Sequence, residues 1–275
     1  MKKWDLIVDE STIGAYINEI RKSCNKRPYS NCEMMLQYKY DSKGVCPIKC
    51  CICEKNLTIL ECKNEIWFMN YYWGEIEAVS IDFPDDIESN VVCEIVEIEG
   101  KERQQEVVKY LLDYNFTQYK KYYKWELTKD DFKCGIEGEL IYKMEYDSLV
   151  EDTIYKVFDP LSDQLPQRNR FIQYCSEARL LLAYDKNIFV GGVVFHVNGR
   201  VAVEEYIFTT DDARGRGYAT NIQNKFLKHC FESACVNKVY AWIEENNIIS
   251  LELHKKVGYI RRKENKSTFI WRKMQ

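Results

Sequence analysis

The sequence predicts an α/β protein of two domains, each a mixed, mostly antiparallel sheet flanked by helices. Three observations carry this. The chain has 275 residues, more than one typical domain uses. Its second half orders three β-type runs, a glycine-rich turn, a helical run, and then strand, helix and strand. The first half echoes the end of that order. Val91 to Ile98 (strand), Glu102 to Tyr114 (helix) and Gln118 to Leu127 (strand) mirror Lys238 to Ile243, Ile248 to Val257 and Thr268 to Arg272. Asn115-Phe116 corresponds to Gly258-Tyr259 at the offset that also pairs Tyr110 with Leu253 and brings Trp125 near Trp271. One weak internal repeat of domain size accounts for this, with domains expected over 1–135 and 146–275.

In order, Asp9 to Cys24 carries Ile13, Ile17 and Ile20 at helical spacing, with Ser11 or Thr12 available as a cap. Glu33 to Tyr40 and Val45 to Lys63 read as strands, with a turn at Glu54-Lys55-Asn56. Glu65 to Ile81 concentrates Trp67, Phe68, Tyr71, Tyr72 and Trp73 around Gly74. Such a cluster is either core filling or the lining of a ligand cleft. Residues 131–152, with Gly135, Gly138 and many charges, read as the connection between domains. Thr153 to Phe158 then begins the second domain, and Phe171 to Cys175 forms a short helix. Arg179 to Tyr184 and Ile188 to Val197 are strands around the turn Asp185-Lys186-Asn187. Asn198-Gly199 is a two-residue hairpin signal, and Arg200 to Phe208 is the strand it returns.

That strand runs into Thr209-Thr210-Asp211-Asp212-Ala213-Arg214-Gly215-Arg216-Gly217-Tyr218-Ala219-Thr220, followed by Ala219, Ile222, Phe226 and Cys230 at helical spacing. Gly215 and Gly217 remove the side chains that would keep a ligand from the backbone. Successive N–H groups are left exposed at a helix N-terminus, where donors and macrodipole favour an anion. Arg214 and Arg216 add charge in a fork suited to phosphate. The turn reads as a cradle for a phosphate-bearing ligand.

Composition narrows the class. A net charge of −4 argues against a general nucleic-acid binder. No run approaches the roughly 20 apolar residues of a membrane span, and Met1-Lys2-Lys3-Trp4-Asp5 opens no apolar leader. A cytoplasmic protein is expected, with no membrane or nucleic-acid partner. Its twelve cysteines are then reduced thiols. Cys46, Cys50, Cys53 and Cys62 allow a zinc site on paper, but there is no second C-x-x-C and no nearby histidine. Packing of small apolar side chains is the favoured reading, and no metal is expected.

The second half resembles the GNAT superfamily of acetyl-CoA-dependent N-acetyltransferases. The family's R/Q-x-x-G-x-G/A pattern matches Arg214 to Ala219, and its later N-x-x-A-x-x-L-Y-x-K-x-G-F pattern matches Asn247, Ser250, Leu253, His254, Lys256, Gly258 and Tyr259. Serine replaces the alanine, and His254 stands where the family usually has tyrosine. The whole chain resembles a tandem-GNAT protein whose first copy, lacking the glycine-arginine turn, is degenerate.

This resemblance implies acetyl-CoA as cosubstrate. Arg214, Gly215, Arg216, Gly217, Tyr218, Ala219 and Thr220 would hold its pyrophosphate. Backbone groups of Phe208, Thr209 and Thr210 would bond pantetheine and polarise the thioester carbonyl; Asn247 and Ser250 would join the cofactor site, Asn247 by contacting pantetheine, capping its helix, or both. A neutral amine would attack directly. Glu204 and Glu205 sit on the strand beside the acetyl position and point to opposite faces, so either can be the base, Glu205 by preference, or both can be solvated or paired. His254 would be general acid to the departing thiolate, or a packing residue in a protein whose thiolate leaves unassisted. His196 and His229 read as structural. The expected function is N-acetylation of a primary amine, small-molecule or peptide; the alternative is a non-catalytic acyl-CoA-binding regulatory or sensor protein. A homodimer is possible.

Overall fold

The computed structural model describes residues 4–6, 10–31, 48–101, 104–133, 135 and 138–273. Cys46, Glu102 and the strand expected from Glu33 to Tyr40 lie outside these. The chain divides into two compact units, residues 1–120 with 266–275 and residues 121–265.

The first unit contains β1 (Asp5–Leu6), α1 (Glu10–Ser23), β2 (Tyr29–Ser30), β3 (Ile48–Cys53), β4 (Asn56–Lys63), β5 (Ile66–Trp73), β6 (Val91–Ile98), α2 (Gln105–Asp113) and the start of β7 (Phe116–Thr128). Its strands run β1-β3-β4-β5-β6, antiparallel apart from the parallel pair β5·β6. The hairpins turn where residues adopt the left-handed conformation, at Glu54 (φ 52) and at Asn64 and Glu65 (φ 49 and 65). Primed turns of this hand match the twist of the strands they join. The helix α1 lays Ile13 and Ile20 on Leu57 and Ile59.

The aromatic run is core. Tyr71 and Trp73 are fully buried, Trp73 stacks edge-on against Tyr110, and Tyr110 lies on Tyr114. The C-x-x-C pattern falls within β3, and in a strand residues three apart point to opposite faces. Cys50 accordingly packs beneath α1, and Cys53 is turned away from it. Among the described residues no group of three or more His, Cys, Asp or Glu is gathered as metal ligands would be.

The second unit holds the rest of β7, then β8 (Ile141–Lys143), α3 (Leu149–Val157), α4 (Arg170–Ser176), β9 (Leu180–Asp185), β10 (Ile188–Asn198) and β11 (Val201–Thr209). After these come α5 (Tyr218–Lys228), continued by a π-helical turn over His229–Ser233, then β12 (Lys238–Glu244), α6 (Ile248–Lys256) and the start of β13 (Ile260–Trp271), whose residues from 266 on belong to the first unit. Its sheet runs β7-β12-β11-β10-β9-β8, with β11·β12 its parallel pair. Apolar layers cover both faces. One packs Ile222, Phe226 and Cys230 against Val193, Phe195 and Val239. The other packs α3 and α4, through Ile154 and Phe171, on Leu180, Val194 and Tyr206.

Three local expectations change. The hairpin loop after β10 is Gly199-Arg200, since Asn198 pairs with Val201; Gly199 takes the left-handed position at φ 58. The connecting stretch contributes β8 to the sheet edge, Ile141 pairing with Tyr184. The final strand begins at Ile260: Arg262 pairs with Glu126 and Lys124 with Glu264, so a charged run that hides strand periodicity is accommodated by cross-strand partners.

The echo is geometric. Gln105 and Asp113 bound α2 as Ile248 and Lys256 bound α6, at the spacing that separates Asn115 from Gly258. Asn115 (φ 63) and Gly258 (φ 99) are both left-handed residues closing these helices.

Candidate functional site

In the second unit, the parallel ladder between β11 and β12 runs from Val201↔Lys238 to Glu204↔Ala241 and stops there. Beyond it β11 continues to Thr209 beside β10 only, so the two strands part at Glu204. A bulge between Val194 and Phe195 leaves Glu205 as the extra residue of β11 at this point. Gly191 (φ 150) lets β10 approach the far end of β11: a Cβ there would lie 2.2 Å from the Phe208 carbonyl oxygen. Phe208 itself is buried on the α3/α4 side, and Thr210 N–H donates to Val190 O.

The turn beyond is built as an amide cradle. Gly215 and Gly217 have φ of 76 and 80, with open space where a Cβ would stand. Gly217 caps α5, and no side chain caps the helix end. Asn221 N–H is the first to bond back, to Gly217 O, which leaves the N–H groups of Tyr218, Ala219 and Thr220 as the usual unsatisfied donors of a helix start. Residues 214–217 are exposed. Arg214 is held at the rim by Asp211, 2.9 Å away, which also meets Lys156. Tyr218 Oη donates to Asp185. The arrangement can hold an anion on backbone donors, with Arg214 and Arg216 adjoining it.

Glu204 and Glu205 take the opposite faces expected of them, and their surroundings differ. Glu204 is 5% exposed. Its Oε1 meets His254 Nε2 at 2.9 Å, and its Oε2 accepts from Gln223 Nε2 (2.6 Å) and Tyr259 Oη (2.9 Å). His254, 1% exposed, donates from Nδ1 to Ser250 O at 2.7 Å. A carbonyl only accepts, so Nδ1 carries hydrogen and the remaining proton lies between Nε2 and Oε1. The pair is an imidazolium–carboxylate. Burial drives the Glu204 carboxyl upward, but His254's charge and the three hydrogen bonds outweigh it and hold the group below its ordinary value. Burial lowers His254, and Glu204 together with Ser250 O more than offsets it, leaving the imidazole raised. Tyr259 is pushed well up by burial and then by the Glu204 charge. The cluster ties β11, α5, α6 and Tyr259, the residue just before β13, together where β11 and β12 part.

Glu205 lies on the other face. Arg179 Nη2 grips both of its oxygens (3.0 and 3.3 Å), and His196 Nδ1 lies 2.6 Å from Oε1. Arg179 rests on the ring of Tyr174, whose hydroxyl is raised to about 12 by burial and the Glu205 charge. Burial and Glu205 raise Tyr240 as well. His229 packs beside Phe195. Asn247 caps α6, its side chain accepting from Ser250 N–H at 3.1 Å.

Glu204 and His254 thus sit where β11 and β12 part, Phe208 and Thr209 lie further along the stretch of β11 that has left β12, and the turn 214–220 opens the helix whose Gln223 reaches back to Glu204. Gln223, Tyr259, Arg179 and His196 join them from elsewhere in the chain. A hint existed for Gln223, a polar residue four positions after Ala219 on an otherwise apolar helical stripe. Tyr259 closes the later family pattern, though nothing there gives it a carboxylate partner, and nothing local marks Arg179 or His196.

Residues 144–259 match the Acetyltransferase (GNAT) family, and the chain carries a GNAT domain there. In structure, the whole chain is similar to a tandem GNAT protein from the clavulanic acid biosynthesis pathway (9% identity, TM-score 0.64, 98% of each chain covered). It is likewise similar to a GCN5-related N-acetyltransferase from Sphaerobacter thermophilus (11% identity, TM-score 0.60, 98% of this chain and 95% of that one). A GNAT-family acetyltransferase from Colwellia psychrerythraea is a third (12% identity, TM-score 0.56, 98% and 100%). At such identities the likeness speaks for the fold: two GNAT-like domains. No curated protein matches in sequence. No helix is long and apolar enough to cross a membrane among the described residues.

Proposed function

We propose that the second unit transfers an acetyl group from acetyl-CoA to a primary amine by direct attack. The observation that carries this is the uncapped amide cradle at 214–220, exposed over 214–217, that follows a strand leaving its parallel partner at Glu204. Acetyl-CoA supplies an activated thioester. The N–H groups of Gly215 to Thr220, with Arg214 and Arg216, would hold its pyrophosphate. Backbone groups of Phe208 to Thr210 would align pantetheine and stabilise the charge that develops on the carbonyl oxygen. The amine nitrogen bonds to the carbonyl carbon, the carbon–sulfur bond breaks, and one nitrogen proton must leave.

For that proton we favour the Glu205–His196 pair. A carboxylate orienting an imidazole is the usual arrangement of a general base, and Glu205 follows directly on the point where the strands part. Glu204 has its oxygens committed to three donors, and His254 has both nitrogens engaged within the core. These two act as positioning residues, and the thiolate leaves without a proton from residue 254. The enclosure of His254 also supports a second reading, an acyl-CoA-binding sensor without turnover.

CoA-thiol release with a panel of primary amines tests both readings. Wild type is expected to turn over, Glu205→Gln and His196→Gln to lose a hundredfold or so in kcat, and His254→Phe to lose mainly acetyl-CoA affinity. Binding without release across the panel would favour the sensor.

A further inference from the structure

The first unit has its own parting strands, and they are already occupied. The parallel ladder between β5 and β6 holds only from Trp67↔Val91 to Met69↔Cys93, while β5 runs on to Trp73. Alongside that free stretch lies β2, Tyr29 pairing with Trp73 and Ser30 with Tyr72. Asn31 follows at the mouth of the parting. Its N–H donates to Tyr71 O (3.3 Å), and its Oδ1 accepts from Tyr71 N–H (2.7 Å). Its Nδ2 donates to Met69 O on β5 (3.2 Å) and to Glu94 O on β6 (2.9 Å). A single carboxamide therefore bridges both strands just past their last shared rung. Buried backbone groups exposed by such a parting must find partners, and here the chain provides them.

A second difference is independent of the first. Residues 74–90, which join β5 to β6, contain a short 3-10 turn over Ile76–Ala78 and no α-helix. The corresponding connection from β11 to β12 contains α5 and its amide cradle. Among the described residues, the first unit thus shows neither an open cleft nor a helix start at this point to hold a pyrophosphate.

We infer that residues 29–31 are the resident ligand of the first unit's cleft, so that the chain takes up acyl-CoA once, in the second unit. The occupancy stands on the first unit's geometry alone; the single acyl-CoA rests on the function proposed above. Amide hydrogen exchange on the full chain, over peptides containing Asn31 and Tyr71, separates the two. Strong protection without ligand, unchanged when acetyl-CoA is added, is the expected result. Asn31→Ala removes the acceptor of Tyr71 N–H and should speed its exchange at least tenfold. Asn31→Asp keeps that acceptor, loses the donor to Glu94 O, and should leave Tyr71 protected. In parallel, calorimetry should give one equivalent of acetyl-CoA for wild type and none for Gly215→Asp, which sets a carboxylate in the second unit's cradle. Faster exchange at Asn31 and Tyr71 on adding acetyl-CoA would overturn the inference, since the segment would then be a displaceable gate. So would an equivalent still bound by Gly215→Asp whose binding slows exchange in the first unit. Protection without acetyl-CoA binding anywhere supports the occupancy and counts against the function assigned to the second unit.

Discussion

Glu204 and His254 show how far a residue's meaning depends on its partners. On sequence, one is a candidate base and the other a candidate acid. Folded, they share a proton inside the core and are held by Gln223, Tyr259 and Ser250. Breaking a buried pair from one side leaves an uncompensated charge and costs about 3–5 kcal/mol. Glu204→Gln and His254→Gln should each approach that loss by chemical denaturation, and the double variant should lose less than the sum of the two. Additive losses would mean the pair is not coupled. The pH dependence has two flanks. The carboxyl is lowered from 4.5, so its contribution is present above that value and fades as pH falls through the folded value. The imidazole is raised from 6.5, so its contribution is complete below that value and fades as pH rises through the folded one. The stability gap between wild type and the double variant should therefore peak between about 4.5 and 6.5. Residues legible in sequence were those whose chemistry is local: Arg214 to Ala219 announce a cradle because their glycines and arginines act through their own backbone and charge. The role of Arg179 was not, nor were the bonds made by Gln223 and Tyr259, because they are set by Glu205 and Glu204, which only the fold brings to them.

At the scale of elements, the sheet end at Phe208–Thr210 is shaped by the neighbouring strand. Gly191 sits in the left-handed region, and any Cβ there runs into the Phe208 carbonyl. Gly191→Ala should displace the end of β11, raising the KM for acetyl-CoA roughly tenfold with a smaller effect on kcat, alongside a stability loss of about 1–3 kcal/mol. An unchanged KM would show that Phe208–Thr210 do not hold the donor. Helices and strands with clean periodicity were legible: α5 from Ile222, Phe226 and Cys230, β6 and β11 nearly to the residue. Elements written in charges were not. The start of β13 and the edge strand β8 carry Arg261, Arg262, Lys263 and Lys143, and their strand character comes from cross-strand neighbours rather than from alternation.

For the whole molecule, the internal echo was legible because α2 and α6 close on equivalent left-handed residues, Asn115 and Gly258. What the echo conceals is the divergence between copies. One unit keeps its parted strands open and sets a helix N-terminus beyond them; the other fills the parting with Asn31 and dispenses with the helix. Filling of this kind depends on a contact between residues 31 and 94, and no pattern along the chain records it. The most direct test of the central claim is calorimetric titration of acetyl-CoA into wild type and Gly215→Asp. Wild type should bind one acetyl-CoA per chain, and the variant should bind it at least a hundredfold more weakly. Equal affinity in the two proteins would contradict this, because the turn 214–220 would then not be where acetyl-CoA is held.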